Sequence, residues 1–294
     1  MGKVAQTQLM DVVIPARNEA IGLAACLASL LAGSEAISLN VVVVLNGEGQ
    51  AAMNSAIKSI ETQFFKGGHK LTVYCSKEVG KSQALNIGDQ LRSLATPVVY
   101  LDADCRLAAG SLQSLYQSLC IDVPKLAAPR LKPVAPPDRF VQSYIAVWNA
   151  LPSIQGQFLG AGCYAVNSSG RRRWTTFPPT LPDDAFVRSL FARNERFTIA
   201  SSELHFPFPN TRDLPATVNR WSNGNRQLRR LGKSLDGPGT PLARRSSIKL
   251  IIKPHLWRHL PAYFAILIAS KWHGSRGYKT WSPDWIPNRP NNEL

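Results

Sequence analysis

The sequence predicts an α/β protein in which a Rossmann-like, mostly parallel sheet is flanked by helices. Four short apolar runs have the composition of strands, at residues 11–15, 39–45, 71–75 and 98–101. The runs at 39–45 and 98–101 are rich in Val and lack alternating polar positions, which is typical of strands covered on both faces. Segments with helical spacing separate the runs, and this alternation favours a sheet with helices wound on both sides.

Three helices are predicted between these strands. In the first, at 20–31, apolar residues recur every three or four positions: Ala20, Leu23, Leu27 and Leu30. Gly33 and Ser34 end this helix. The second helix is expected at 51–65 and the third at 83–94, where Thr96 and Pro97 then break the chain before the fourth strand.

The composition bounds the class of protein and its partners. The chain has 294 residues, 45% hydrophobic and 18% charged, as in ordinary globular proteins. Lys and Arg number 34 against 19 Asp and Glu, so the formal net charge is +15 and the pI is near 9.9. An anionic partner is therefore expected, such as a phosphorylated substrate or anionic lipid. No recognised nucleic-acid motif occurs, so nucleic acid is not the expected partner.

The cysteines and the first residues bear on the cellular compartment. The five cysteines form no C-x-x-C pair and show no metal-ligand spacing with His, which argues against zinc sites and a disulfide framework. We interpret them as reduced, mostly buried thiols. The first eight residues contain no apolar signal core. Both observations predict a cytoplasmic location.

Two carboxylates follow the fourth strand directly. Asp102 and Asp104 lie at i and i+2, so in extended backbone both side chains project to the same side, with Cα atoms roughly 6 to 7 Å apart. Such a pair can share a divalent cation, and carboxylate oxygens suit Mg²⁺, Mn²⁺ or Ca²⁺. The alternative interpretation is a solvated Asp-x-Asp turn.

The ends of the predicted strands carry the other candidate site residues. In a parallel α/β sheet the ligand crevice lies beyond the carboxyl ends of the strands. Residues 15–19, 46–49, 77–81 and 102–104 lie at those ends. No G-x-G-x-x-G follows the first strand, and Cys75 stands where a P-loop needs its first Gly, so both nucleotide motifs are disfavoured. Lys81, at the start of a predicted helix, can still present a cation to a phosphate.

Several segments together resemble family 2 glycosyltransferases, which have the GT-A fold. They are Asp-Val-Val-Ile-Pro-Ala-Arg-Asn-Glu at 11–19, the Val-rich strand ending at Asn46, Gly-Lys-Ser-Gln-Ala-Leu-Asn at 80–86 and Leu-Asp-Ala-Asp at 101–104. The segment Gly-Ala-Gly-Cys-Tyr-Ala-Val-Asn at 160–167 is similar to the family's acceptor segment, which points to Gly162 and Cys163. The segment Leu-Pro-Asp-Asp-Ala-Phe-Val at 181–187 falls where the family has its catalytic-base motif.

The resemblance implies roles for the residues of the donor half. Asp104 would bind a divalent metal, Mg²⁺ or Mn²⁺, while Asp102 would face the ribose or a metal-bound water. The pocket for the base and ribose of a nucleotide diphosphate sugar would be lined by Pro15, Ala16, Glu19 and Asn46. The family commonly has Asp at the position of Asn46, so the resemblance leaves the nucleotide open.

In the catalytic-base motif, the resemblance implies that Asp184 is the general base and that Asp183 holds or orients the acceptor. Adjacent carboxylates raise each other's proton affinity, and a positioned base contributes about 10² to 10⁴ in rate. The alternative is that this pair starts a helix at 185–191 as an N-cap. The two interpretations are compatible.

The segment Thr-Val-Asn-Arg-Trp at 217–221 matches the end of the Q-x-x-R-W motif of processive family members, with Thr217 replacing its first residue. Arg220 would bind the departing diphosphate, and Trp221 would stack on an acceptor sugar. The alternative is that Trp221 belongs to the core and Arg220 to the surface. The basic cluster 171–173 is open to two interpretations, an acceptor-phosphate or lipid contact and a solvated loop.

The resemblance covers about residues 10–230 and divides the chain. Residues 1–231 are expected to form the GT-A domain, with a nucleotide-sugar half to about 110 and an acceptor half from about 111. Residues 232–294 are expected to form a basic linker and an amphipathic, membrane-associating helical extension. Its clean apolar run, 260–269, is about half the length needed to cross a bilayer. The expected location is thus peripheral, on the inner face of the plasma membrane, and the alternative is a helix pair packed on the domain.

The sequence therefore predicts an inverting, metal-dependent hexosyltransferase that moves a sugar from a nucleotide diphosphate sugar, with UDP the first choice, to a saccharide or lipid-linked acceptor. Polysaccharide biosynthesis is the expected setting. Two alternatives stay open: a nucleotidyltransferase of similar fold, and a catalytically inactive basic module that binds membrane or nucleic acid.

Overall fold

The computed structural model describes residues 8–34, 36–47, 50–151, 154–155, 158–179, 182–230 and 253–275. Strands within these ranges are β1 Leu9–Ala16, β2 Ser38–Asn46, β3 Lys70–Ser76, β4 Val98–Leu101, β5 Arg106–Leu107, β6 Leu126–Val134, β7 Cys163–Val166 and β8 Arg196–Pro207. The helices are α1 Ala20–Ala32, α2 Gln50–Lys66, α3 Lys81–Gln90, α4 Ser111–Leu119, α5 Arg139–Asn149, α6 Ser168–Arg171, α7 Asp183–Ser189, α8 Leu214–Arg230 and α9 Leu260–Ser275.

The described strands form one mixed sheet in the order β3-β2-β1-β4-β7-β6-β8-β5. The first four strands along the chain pair in parallel, as their composition predicts. Beyond them β7 runs antiparallel to both β4 and β6, while β6 and β8 are parallel. The parallel half brings the carboxyl ends of β1 to β4 to one edge, so the predicted crevice residues do share an edge.

Helices cover both faces of the sheet, which explains the unbroken Val run of β2. Val41 and Val43 point into the larger core with α1 and α2, whereas Val42 and Val44 point to the other face and pack with Ala84 of α3. All four valines are 0% exposed. The prediction of an α/β sheet covered on both faces is therefore confirmed.

Helix α3 ends before the predicted helix at 83–94 does, because ion pairs hold the residues at and after its last turn in a different direction. The Leu91 N–H donates to the carbonyls of Ile87 and Gly88, which closes the helix. The next residue, Arg92, turns inward and places its guanidinium 2.7 Å from Asp89 and 3.5 Å from Asp11. These buried ion pairs fix the path of the chain as it turns towards β4. The spacing of apolar residues in the sequence does not reveal this turn and therefore suggests a longer helix.

Residues 253–275 pack on the domain, as the alternative interpretation of the C-terminal region expected. A 3₁₀ turn at Pro254–His259 leads into α9, which lies against α5 and α8. Tyr263 stacks on Tyr144 of α5 with ring centroids 5.3 Å apart, and Ile266 is 2% exposed. None of the helices in the described ranges combines the length and the apolar character that a membrane span needs. Residues 232–252, which contain the predicted linker, and the tail beyond 275 lie outside the described residues.

Candidate active site

The two acids that follow β4 lie in a tight turn. The strand ends at Leu101, and the Cys105 N–H donates to the Asp102 carbonyl at 3.0 Å. The prediction of extended backbone from Asp102 to Asp104 is therefore wrong, although both residues do lie at the sheet edge. Both are only partly exposed, so the turn is not the fully solvated one that the alternative interpretation described.

Two glycines allow neighbouring backbone to close on this turn. The Asp102 N–H donates to the Gly162 carbonyl at 2.8 Å, which extends the pairing of β4 with β7. Gly162 has φ +72, and a Cβ there would lie 2.7 Å from the Sγ of Cys105. Behind the turn, a Cβ on Gly22 of α1 would lie 3.1 Å from the Asp104 Cα. Gly162 is therefore required by the close approach of the chain to the acidic turn, and Gly22 allows a tight contact behind it.

The second acidic pair opens α7. Pro182 occupies the N-cap position, so Asp183 and Asp184 form the first helical turn and the N-cap interpretation is wrong in detail. Asp183 is buried, and its carboxylate accepts a hydrogen bond from the Tyr164 hydroxyl at 3.1 Å. Asp184 is partly exposed, and its carboxylate accepts from the Ala185 N–H at 2.7 Å. Carboxylates in the first turn are also favoured by the helix dipole.

Lys81 joins the two acidic motifs. Its Nζ lies 2.6 Å from Asp102 Oδ1 and 2.9 Å from Asp183 Oδ1. Gly80, with φ +145, precedes Lys81 and starts α3 at the carboxyl edge of the sheet. Burial lowers the pKa of Lys81, but the charges and hydrogen bonds of Asp102 and Asp183 outweigh it and raise the pKa above its ordinary value. The side chain is therefore a fixed cation between the two motifs.

The pKa of Asp184 is raised from 3.8 to about 6. Although the residue is partly exposed, the surrounding protein desolvates its carboxyl, and this is the main cause; the charge of the adjacent Asp183 adds to it, while Lys81 acts in the opposite direction. A carboxyl with a pKa near neutrality exchanges protons at physiological pH, which is the property required of a general base.

A comparison with known protein families agrees with this geometry. The Glycosyl transferase family 2 profile matches residues 11–174, more than half of the chain. The chain belongs to glycosyl transferase family 2. The matched range includes the turn at 102–105 and Lys81, whereas Asp183, Asp184 and α8 lie beyond it. A search of curated proteins found no match.

Solved structures show that this family 2 chain has the GT-A fold. The mannosyltransferase PcManGT from Pyrobaculum calidifontis, in complex with GDP-Man and Mn²⁺, is 17% identical with a TM-score of 0.57, and the match covers 93% of this chain and 77% of that one. GalNAc-T7 with UDP, GalNAc and Mn²⁺ is 13% identical with a TM-score of 0.53, covering 70% and 45%. TarS from S. aureus is 14% identical with a TM-score of 0.50, covering 73% and 39%. The match thus spans under half of the last two proteins.

Three of the four residues predicted to line the nucleotide pocket of this family 2 protein have buried side chains. Pro15, Ala16 and Asn46 are buried, so their side chains do not line an open crevice. The Asn46 amide instead donates to the Ala16 carbonyl at 3.3 Å, and its oxygen accepts from the Gly80 N–H at 3.4 Å. Asn46 therefore ties β1, β2 and the start of α3 together. Glu19 precedes α1 and is partly exposed.

The predicted acceptor residues separate into two places. Gly162 and Cys163 lie directly behind the acidic turn, and Cys163 is 1% exposed, so its side chain has no surface to offer an acceptor. Trp221 lies on α8 and is partly buried, with its ring centroid 6.0 Å from Phe208 and 6.5 Å from Trp148. This packing agrees with the alternative that Trp221 belongs to the core. Arg220, on the same helix, is partly exposed.

The basic cluster at 171–173 is largely structural, and Arg171 fits neither interpretation of it. Arg171 is buried, with its guanidinium 2.7 Å from Asp89 and 3.0 Å from the Tyr100 hydroxyl. The guanidinium of Arg173 forms a 2.5 Å ion pair with Glu195. Only Arg172 of this cluster is exposed.

Asp102 and Asp104 have the chemistry of a divalent cation site. Their carboxylate oxygens are the donors that Mg²⁺ and Mn²⁺ prefer, and Mg²⁺ is usually held by one or two carboxylates together with substrate phosphates. Among the described residues no cluster of three or more His, Cys, Asp or Glu side chains is placed to hold a metal. A divalent cation held by these two carboxylates would take its remaining ligands from diphosphate oxygens and water, and it would share Asp102 with the ammonium of Lys81.

Tyr164 is a site residue that the sequence analysis missed. It lies within the segment 160–167, from which only Gly162 and Cys163 were predicted to be acceptor residues. Strand alternation offered a signal, because Cys163 and Tyr164 must point to opposite faces of the sheet. The Tyr164 side chain faces α7, where burial and the charge of Asp183 raise its pKa and keep it a hydrogen-bond donor.

Proposed function

We propose that this protein transfers a hexosyl group from a nucleoside diphosphate sugar to a hydroxyl group of a saccharide or lipid-linked acceptor, with inversion at the anomeric carbon. One observation carries the proposal: a single ammonium, that of Lys81, joins the acidic turn after β4 to the acidic pair at the start of α7. Donor chemistry and acceptor deprotonation must occur within a few ångströms of each other, and this contact brings suitable groups together.

Asp104 and Asp102 are proposed to hold Mg²⁺ or Mn²⁺. When bound, the cation would supply positive charge to the departing diphosphate. Two of the structural neighbours contain Mn²⁺, one with UDP and the other with GDP-Man, which supports a metal and a nucleoside diphosphate for this chain also. UDP is our first choice of nucleotide. Arg220 is proposed to contact the diphosphate, since a guanidinium matches phosphate oxygens in pairs.

Asp184 is proposed to remove the proton from the acceptor hydroxyl. Its raised pKa, about 6, makes it a stronger base than an ordinary carboxylate and leaves it ionised at neutral pH. Asp183 is held by Lys81 and Tyr164 and is proposed to orient the acceptor. A base on the α7 side acting opposite the diphosphate would give inversion, which NMR of the product's anomeric proton tests directly.

Family 2 membership favours glycosyl transfer over a nucleotidyltransferase. The basic net charge is also compatible with a second class of protein, an inactive module that binds nucleic acid or membrane. Such a module would bind DNA or RNA with a steep salt dependence and would be indifferent to Asp184→Ala. A peripheral location on the cytoplasmic membrane face, and a role in polysaccharide synthesis, are part of the same proposal.

Thermal unfolding with UDP, GDP, CDP and dTDP, each with and without Mn²⁺, tests the donor site. A ligand at about 100 times its Kd adds roughly 2.7 kcal/mol to the unfolding free energy. We expect one nucleotide to stabilise the protein only with metal and Asp104→Ala to remove the effect. Asp122→Ala is the matched control, because Asp122 is an exposed carboxylate in the loop between α4 and β6 and belongs to neither acidic motif. No response to any nucleotide would overturn the proposed function.

A further inference from the structure

Helix α9 has two faces of different environment. Ala262, Ile266 and Ser270 are 8%, 2% and 6% exposed and pack against the domain. These residues recur every four positions, so they mark one side of the helix. This side anchors α9 on α5 and α8 and thereby fixes which residues point outward.

The outward face of α9 is apolar. Phe264 and Ile268 are 52% and 57% exposed, Trp272 is 70% exposed, and the three recur every four positions. Trp257, in the preceding 3₁₀ turn, is 56% exposed. We call Phe264, Ile268 and Trp272 the outer stripe. Large apolar side chains grouped in this way on a protein surface mark an interaction site.

The charge around the outer stripe has one sign. Arg258 and Lys271 are exposed and Lys253 is partly exposed, all close in sequence to the stripe. Between Asp236 and Asp284 the sequence contains eight Lys and Arg residues and no Asp or Glu. The complementary surface is therefore negatively charged, with an apolar layer for Phe, Ile and Trp to enter.

We propose that the outer stripe docks this protein onto the surface of an anionic lipid bilayer, with α9 lying in the plane of the interface. A bilayer offers acyl chains to the apolar side chains and lipid phosphates to the flanking cations, which is the pattern of interfacial helices. Nucleic acid would satisfy the cations but would leave most of an apolar face unsatisfied. The net charge of +15 draws the whole molecule towards the same surface.

The packing of α9 also relates the bilayer to the residues predicted to contact the diphosphate and the acceptor. α9 lies directly on α8, which carries Arg220 and Trp221. A bilayer on its outer face is thus about one helix diameter, roughly 10 Å, from α8. This distance suits an acceptor whose lipid end stays in the membrane. That last step rests on the proposed transferase activity, whereas the docking gives a structural basis to the peripheral location proposed above.

Flotation of the full chain with vesicles tests the proposal. One set contains phosphatidylcholine alone and the other also contains phosphatidylglycerol. We expect binding to the anionic vesicles only, and a loss of about tenfold or more in Phe264→Ser/Ile268→Ser/Trp272→Ser. The matched control is Phe65→Ser/Leu94→Ser/Val123→Ser, because these side chains are 59%, 57% and 59% exposed elsewhere on the surface. Circular dichroism checks that both triple variants are folded.

Three results would overturn the docking proposal. The stripe variant could float as well as the wild type, or the control variant could lose binding equally. Light scattering could also show that the stripe holds two copies together, with a dimer in the wild type and a monomer in the stripe variant. Nucleotide-dependent thermal stabilisation of the stripe variant keeps this outcome separate from a failure of the proposed function.

Discussion

The ammonium of Lys81 lies 2.9 Å from the carboxylate of Asp183, and its second contact, at 2.6 Å, is with Asp102. Lys81 and Asp102 have side chains that are 25% exposed, whereas that of Asp183 is 8% exposed. Lys81 is thus the cation that allows two carboxylates from distant parts of the sequence to stay close together.

Replacing Lys81 with Met should impair both folding and activity. Asp102 and Asp183 would then lack their shared cation, so we expect the unfolding free energy to fall by about 1 to 3 kcal/mol, with partial exposure limiting the loss. Turnover should fall at least about tenfold because the acids repel each other, and Lys81→Arg should recover part of both losses. Urea unfolding and steady-state kinetics measure the two effects. Lys58→Met, an exposed lysine on α2, is the control, and equal effects in both variants would contradict this role.

The rate should depend on pH through Asp184. An acceptor can lose its proton only to ionised Asp184, so kcat/KM should rise about tenfold per pH unit below pH 6 and level off above it. Asp184→Asn should abolish this dependence together with most of the activity. A profile without an inflection between pH 5 and 7 would show that another group is the base.

The raised pKa of Asp184 also predicts that stability falls as pH rises, whereas the rate increases. Folded Asp184 has a pKa of about 6 against 3.8 for an ordinary Asp, so the folded protein binds this proton more tightly. The unfolding free energy contributed by Asp184 therefore falls as pH rises from 3.8 to 6.

Above pH 6, Asp184→Asn should consequently be about 1 to 2 kcal/mol more stable than the wild type. Near pH 3.8 the two proteins should be equally stable. Asn keeps an acceptor for the Ala185 N–H. Chemical denaturation at both pH values measures the difference, with Asp122→Asn as control. A variant less stable than the wild type at high pH would refute the raised pKa.

Gly162 and Gly68 form a matched pair of glycines. Their φ angles are +72 and +73, so an Ala costs about 1 kcal/mol at either position through backbone strain. At Gly162 the new Cβ would also lie 2.7 Å from Cys105 Sγ and 2.9 Å from Phe206 Cδ2, whereas at Gly68 it meets no described atom within 4 Å. Beyond the strain that both share, Gly162→Ala should therefore lose about 1 to 3 kcal/mol more of the unfolding free energy than Gly68→Ala. Equal melting temperatures would mean that the turn at 102–105 can move away.

Trp221 should behave first as a packing residue. Its ring contacts Phe208 and Trp148, so Trp221→Ala should lower the unfolding free energy by about 2 to 3 kcal/mol, while Trp221→Phe should lose less. If the indole also stacks on an acceptor sugar, Trp221→Phe will raise the acceptor KM without a matching loss of stability. A Trp221→Ala variant as stable as the wild type would disprove the packing role.

The sequence by itself determined the parallel half of the sheet and the edge at which the site lies. A strand that is buried on both faces has an almost wholly apolar composition, so the Val-rich runs that form β2 and β4 were recognisable. Because parallel strands end at the same edge of a sheet, the polar residues after these runs had to meet there. Asp102 and Asp104 were located by their place after the fourth strand, whereas Asp183 and Asp184 were located only by the resemblance of the segment 181–187.

Only the tertiary structure decided which charges meet. Lys81 bridges two motifs, Arg171 is drawn into the core by Asp89, and Asn46 braces the strand ends, because ion pairs and buried hydrogen bonds depend on distances between remote segments. The apolar composition of α9 likewise could not reveal which face packs and which faces outward. That choice is made by the neighbours a helix finds, α5 and α8 here, and local sequence carries little information about them.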